Sequence, residues 1–218
     1  LMVKGIDDTY IKETIDKIKE DNSDQDFFSG IKICKKKRIG PARGEDNRPL
    51  FYKKDISLLA RNGFDFETSK RIMDIDKLRE EIEYDEGSVG KIYLDHLGLP
   101  TFGIGHLVLE SDPEHGWEVG TYVTKDRCNE AFDSDIKNVL SDCYRLYPDF
   151  DDLPEEVQRI VANMMFNMGR PRLSKFKGMK RGVDSQDWNA AADEMVDSKW
   201  YRQVTKRADR LVERMRNV

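Results

Sequence analysis

Histidine and cysteine are scarce, with three of each in 218 residues. Cys34, Cys128 and Cys143 are an odd and widely spaced set, which argues against a disulfide framework and for synthesis in a reducing compartment. Cys128 and Cys143 fall in one helical stretch, too far apart to bridge, and read as packing or surface residues. His96, His106 and His115 do not complete a zinc pattern with them, so no metal and no cofactor is expected. Long apolar runs are missing too: none reaches the eighteen residues that a membrane-spanning helix needs. The opening residues lack a charged stretch followed by an apolar one, so no secretory leader is expected in them. Leu1 ahead of Met2 fits either a product of a longer chain or a residue added ahead of the natural start.

Charge is abundant. Charged residues make up 36% of the chain, hydrophobic ones 38%, and the mean hydropathy of −0.72 is that of a chain that folds in water. The net charge of −5 is unevenly spread: residues 1–70 hold 15 basic and 13 acidic residues, residues 71–218 hold 22 and 29.

The organising stretch is Glu86 to Leu107, EGSVGKIYLDHLGLPTFGIGHL. Ile72, Ile75, Leu78 and Ile82 lead into it at helical steps of three and four. Lys91–Asp95 then reads as a short strand, Gly98 and Pro100 as a turn, and Thr101-Phe102 with Ile104 as a second strand. Glu86 so falls near a helix C-terminus, where the macrodipole and partial burial both favour a carboxyl that carries a proton near neutral pH. Asp95 falls in a wetter turn, where it stays ionised. Two carboxyls in unlike environments are the arrangement used in glycoside hydrolysis. On spacing alone, a pair of solvated surface charges is the open alternative.

Tyr84-Asp85-Glu86-Gly87, Lys91-Ile92-Tyr93, Asp95 and Thr101-Phe102-Gly103-Ile104-Gly105-His106-Leu107 together resemble the active-site hairpin of the T-even phage lysozymes, the family-24 glycoside hydrolases. The likeness runs on through Thr124-Lys125-Asp126, Phe132 and Asp135, through Asn163–Gly169, and through Ser198–Tyr201, Gln203, Arg207-Ala208 and Arg210. It covers about residues 72–218 and leaves 1–70 outside. The resemblance implies an α+β fold in two lobes, a small β-hairpin lobe and a larger helical lobe joined by a long helix. It implies a muramidase domain over 71–218 that cuts the β-1,4 bond of murein with inversion. Glu86 would be the general acid, and Asp95 with Thr101 would hold the attacking water. Leu107, Phe166 and Asn167 would contact substrate, Arg207 would pair with the acid, and His106 with Asp135 would form a structural ion pair. Three departures stand out: Asn167 replaces a longer glutamine, Leu97 replaces a rim carboxylate, and the loop Val108–Gly120 is about ten residues short, which trims a small helix.

Elsewhere, 8–21 read as an amphipathic helix, 22–30 as a loop, Ile31–Cys34 as a strand and Gly40–Leu50 as a linker, with apolar residues in 51–70 sufficient for a short docked element. The basic run Lys35–Arg38 reads first as a solvated edge, with contact to nucleic acid or an anionic surface as the alternative. Thr124 caps a helix ending near Tyr147, Pro154 opens another whose methionine-rich stripe is core, and Gly169 closes it. Residues 1–70 are expected to be an arm for partner docking, phage tail or baseplate proteins in particular. Nucleic acid is not expected as a partner. Two settings follow for the enzyme: a virion tail lysozyme, favoured by the acidic charge and the arm, or an endolysin held in the host cytoplasm. A murein-binding or baseplate structural module without turnover is the reading from another class.

Overall fold

The computed structural model describes residues 26, 29–43, 47–95 and 97–218. The chain divides into two compact units, one up to Lys77 and one from Leu78 onward. The helix expected at 8–21 lies outside the described residues.

In the first unit, helix α1 covers 29–37, where a strand was expected over Ile31–Cys34. The spacing explains the difference: Ile31 and Cys34 are buried while Lys32, Lys35, Lys36 and Lys37 are exposed, a helical rather than an alternating pattern. Gly30 allows close approach, since a Cβ there would lie 2.1 Å from Cδ1 of Ile72. The expected linker is also more ordered than its composition suggested. It holds a 3-10 turn at Gly40–Ala42, and helix α2, Arg48–Arg61, begins inside it. The turn is tied down by Asp55 of α2, whose Oδ2 accepts from the Gly40 N–H at 2.8 Å and from Arg43 Nε at 2.9 Å. Burial works to raise the Asp55 carboxyl, but Arg43 and the Gly40 N–H outweigh it and hold it below the usual carboxylate range.

Helix α3, Phe66–Glu86, starts with Asp65 accepting from the Thr68 N–H at 2.7 Å. It ends at Gly87, whose φ of 73° makes the left-handed turn that returns the chain toward the sheet. The second unit adds a three-stranded antiparallel sheet in the order β1 (Val89–Leu94), β2 (Pro100–Gly103), β3 (His106–Leu107). Ile104, expected in a strand, lies in the turn before β3. The third strand was not foreseen, because two residues are too short for alternation to register. Backbone bonds from Ile92 to Thr121 (2.9 Å) and from Gly120 to Ile92 (2.8 Å) lay the end of the shortened loop along β1. Residues 108–120 contain turns and no helix.

Helix α4, Lys125–Leu146, is capped by Thr124, whose hydroxyl accepts from the Arg127 N–H at 3.2 Å. It touches both the sheet and the helical lobe. Ile92, Phe102 and Val123 form a small core with Cys128 and Ala131 of α4. Gly103 comes so near that a Cβ on it would stand 3.2 Å from Cβ of Cys128. Helix α5, Glu155–Met168, begins one residue after Pro154, which serves as its N-cap, and buries Val157, Ile160, Val161, Met164 and Met165. Two short helices follow, α6 (Arg170–Leu173) and α7 (Lys177–Asp184), then α8 (Trp188–Val196). The C-terminal stretch is two helices, α9 (Lys199–Gln203) and α10 (Thr205–Arg216). All three cysteines are buried and none is in a disulfide. This is an α+β arrangement of a small sheet lobe and a larger helical lobe, with α4 common to both.

Candidate active site

Glu86 is the last residue of α3, where its charge faces the negative end of the helix dipole. Arg207 of α10 answers that charge. Its Nη1 donates to Oε1 of Glu86 at 2.6 Å, and the Glu86 side chain keeps 26% of its exposure. Arg207 is itself buried and fixed on its other edge. Its Nε donates to Oδ1 of Asn163 at 2.8 Å and lies 3.2 Å from Oδ2 of Asp85. Asp85 is only 4% exposed and also takes the Nδ2 of Asn163 (3.2 Å) and Nη2 of Arg210 (2.5 Å). Asp85, Asn163 and Arg210, on three helices, thereby hold one guanidinium against one carboxylate.

The seam extends down the same helices. Glu81, one turn before Asp85, accepts from Arg214 Nη2 at 2.9 Å and lies 3.3 Å from Arg159 Nε. Glu156 joins both Arg159 and Arg214. The spacings are those that put side chains on one helix face: 81 and 85 on α3, 156, 159 and 163 on α5, 207, 210 and 214 on α10.

Asp95 closes the β1–β2 turn. Its Oδ1 accepts from the N–H groups of Leu97 (2.8 Å) and Leu99 (2.9 Å), and its own N–H donates to the Leu99 carbonyl at 2.9 Å. Thr101 is 4% exposed, pairs across the sheet with Tyr93 on one side and Leu107 on the other, and donates from Oγ1 to the Leu99 carbonyl at 3.1 Å. Tyr93 lies between the two carboxylates electrostatically. Burial, then the negative charges of Glu86 and Asp95, hold its phenol above the ordinary value. Tyr93 stands opposite Thr101 across the sheet and two residues before Asp95, and sequence reasoning had not singled it out for a role.

His106 lies against α4, with Nδ1 at 2.8 Å from Asp135 and Nε2 at 3.0 Å from Asp112. Burial pulls its pKa down, but the two carboxylates outweigh burial and hold the imidazole above its ordinary value. Asp112 also receives Arg127, which forks onto the buried Glu114 at 3.0 and 2.9 Å. The shortened loop is thus fastened to β3 and to the first turn of α4 by charge. Phe166 stacks its ring 5.8 Å from that of Phe132, Leu107 is exposed, and Leu97 is exposed at the hairpin tip. Asn167 points its carbonyl inward, accepting from Trp200 Nε1 at 2.8 Å. Sequence reasoning missed Asp85, Asn163 and Arg210 as supports. A buried Asn inside the apolar stripe of α5 was the available signal.

Comparison with known proteins bears on the same residues. The phage lysozyme family matches residues 83–217. The chain is 27% identical over 157 residues to probable T4-type lysozyme 2 of Dictyostelium discoideum, covering 63% of this chain and 92% of that protein. It is 26% identical over 152 residues to the pre-baseplate central spike protein Gp5 of Enterobacteria phage T4, covering 62% of this chain and 26% of the spike protein. It is 26% identical over 142 residues to the peptidoglycan hydrolase gp36 of Pseudomonas phage phiKMV, covering 65% of this chain and 15% of that hydrolase. The matched span takes in the α3 terminus, the hairpin, α4 and the α10 arginines, so the chain belongs to the phage lysozyme family and is a glycoside hydrolase of the lysozyme kind.

Proposed function

We propose that this protein is an N-acetylmuramidase that cleaves the β-1,4 bond between N-acetylmuramic acid and N-acetylglucosamine by an inverting acid/base mechanism. Hydrolysis of peptidoglycan is supported at the level of the family and of relatives named as lysozymes and a peptidoglycan hydrolase. The observation that carries the mechanism is the Arg207 contact that aims Glu86 from the end of α3, with Asp95 and Thr101 at the β1–β2 turn that follows it. Glu86 protonates the leaving glycosidic oxygen, and Arg207 orients it by occupying Oε1 alone. Asp95 and Thr101, at the β1–β2 turn, hold water on the opposite face of the sugar, and the Asp95 carboxylate takes its proton. Leu107 and Phe166 contact the glycan. Asn167, its oxygen already accepting from Trp200, offers the sugar its Nδ2 donor.

The setting we propose is a virion tail, with residues 1–70 as the docking arm for tail or baseplate proteins. The likeness to a baseplate spike protein favours it over an endolysin released from the host cytoplasm. Peptides of this chain in purified particles would support that setting, and their absence would restore the endolysin. The mechanism is tested by muropeptide release from purified murein. Wild type should yield new reducing muramic ends, and Glu86→Gln should lose at least about a hundredfold of the rate, the lower range for removing a general acid. Equal release by the two would end the mechanism. A chain that binds murein and releases nothing would favour the structural module.

A further inference from the structure

The first unit carries a charge that the enzyme does not explain. Residues 29–64 hold ten Lys and Arg against three Asp and Glu, in a chain whose net charge is −5. The preceding 28 residues hold eight acidic and four basic residues, so the positive surplus belongs to α1 and α2 rather than to the whole arm. Both helices bury one face and turn the basic one outward. On α1, Gly30, Ile31 and Cys34 are inside while Lys32, Lys35, Lys36 and Lys37 are outside, followed by the exposed Arg38. On α2, Asp55, Ile56 and Leu59 are inside while Lys53, Lys54 and Arg61 are outside. Lys37 donates to Oδ1 of Asn62 at 3.1 Å, which brings the end of α1 to the end of α2 beside Arg61. The one acidic side chain of α2 is turned inward and occupied by Arg43 at 2.7 Å, so it does not neutralise the outer face.

We infer that the outer face of α1 and α2 is a docking surface for the carboxylate-bearing polymer of the bacterial wall, which holds the acidic hydrolase unit on its own substrate. This rests on the muramidase reading for the identity of the polymer. The chemistry of the face favours that polymer over nucleic acid. Six of the eight exposed cations are lysines, compact point charges that attract an array of anionic groups without demanding a forked geometry. Phe51, Tyr52 and Phe64, the aromatics of α2 and the turn after it, are all half-buried, and Phe51 lies under Arg43 at 4.2 Å, so among the described residues α1 and α2 themselves offer no exposed ring for base stacking. The second unit is the part of the chain in negative surplus, and a negative protein approaching a carboxylate-bearing polymer is repelled at low salt. Tethering through the first unit replaces that repulsion with an effective local concentration.

The test is retention of the full chain on purified murein sacculi in a short spin at 4 °C, across a salt series, with cleavage of soluble murein fragments measured in parallel. The variant carries Lys32→Glu, Lys36→Glu, Lys53→Glu and Arg61→Glu, all at exposed positions. Retention of the wild type should fall steeply with salt, and the variant should lose about tenfold of it at low salt. Cleavage of soluble fragments should be the same for both. A second variant reversing only Lys53 and Arg61 should lose part of the retention. Equal retention of wild type and variant, or retention indifferent to salt, would overturn the proposal. Tighter binding to a DNA duplex than to sacculi in the same buffer would overturn it in favour of nucleic acid. If neither protein cleaves soluble fragments but the retention difference stands, the docking surface survives and the muramidase reading fails.

Discussion

Two junctions within the helical lobe are built on opposite principles. Where the end of α3 meets α5 and α10, the contact is a ladder of ions: Glu81, Asp85 and Glu86 against Arg159, Arg207, Arg210 and Arg214, with Asn163 filling the gap. Where α7 meets α8, Gly182 brings the closest approach down to backbone. A Cβ placed on Gly182 would stand 2.6 Å from the backbone nitrogen of Ala191. A buried ion ladder adds little net stability, because desolvation offsets most of its attraction, but it fixes the register and orientation of the groups it joins. Backbone-to-backbone packing does the reverse: it excludes solvent tightly and orients no functional group. The ladder is found where a carboxylate must be aimed, and the glycine contact where nothing needs aiming.

The comparison can be broken most severely at Gly182. Alanine in place of glycine within a helix normally stabilises by up to about 1 kcal/mol. Here Gly182→Ala should destabilise by roughly 2–3 kcal/mol, because the obstacle is backbone that cannot turn aside. Urea unfolding would read it, and a stabilised variant would refute the contact. Gly178→Ala is the control. A Cβ there meets only the carboxylate end of Glu194, a flexible side chain, so its cost should stay within about 0.5 kcal/mol of zero.

Matching it in size is Arg207→Ala, which strands Glu86 and leaves Asp85 to Arg210 and Asn163 alone. It should cost about 3 kcal/mol of stability, the low end for breaking a buried pair. It should also depress kcat more than it raises KM, since the aim of Glu86 is lost rather than the cleft. Loss of stability with unchanged kcat would remove the positioning role.

Smaller again is the outer rung. Glu81→Leu and Arg214→Leu singly should each cost about 1–2 kcal/mol, whereas the double variant should sit closer to wild type than their sum. Strict additivity in the double-mutant cycle would mean that the rung is surface decoration.

The weakest effect sharpens the comparison with ions outside either junction. His106 has its pKa raised in the fold, so its contribution to stability is fully present below the unfolded value of about 6.5 and is lost as pH rises through the folded one. Asp112→Asn removes one of the two carboxylates and should flatten that decline in a series of unfolding curves from pH 6 upward. An unchanged slope would show that Asp135 alone sets it.

How much of this was legible in the sequence follows from how local each feature is. Glu86, Asp95 and Thr101 lie within 16 residues, so a helix end, a turn and a strand suffice to place them. The stripe of α5 and the caps at Thr124 and Gly169 were readable because periodicity and capping are properties of a short window. The ladder was not, because Glu81, Arg159 and Arg214 come from three distant helices, and each alone looks like a solvated charge. The same holds for Asp112, Glu114 and Arg127: a loop described only as polar conceals which of its charges are paired. The strand expected at Ile31–Cys34 failed for a different reason. Four residues of β-prone type cannot reveal that the burial beyond them continues at helical spacing.

The buried cysteines have a practical consequence for studying the molecule. Burial pushes the thiols of Cys128 and Cys143 up, and Cys34 is fully enclosed, so none presents a thiolate to a reagent at neutral pH. A cysteine introduced on the exposed face of α1, at Lys36 for instance, would then be the one reactive thiol of the described structure. A fluorophore or cross-linker placed there would report what that face touches, with the native sulfur chemically silent.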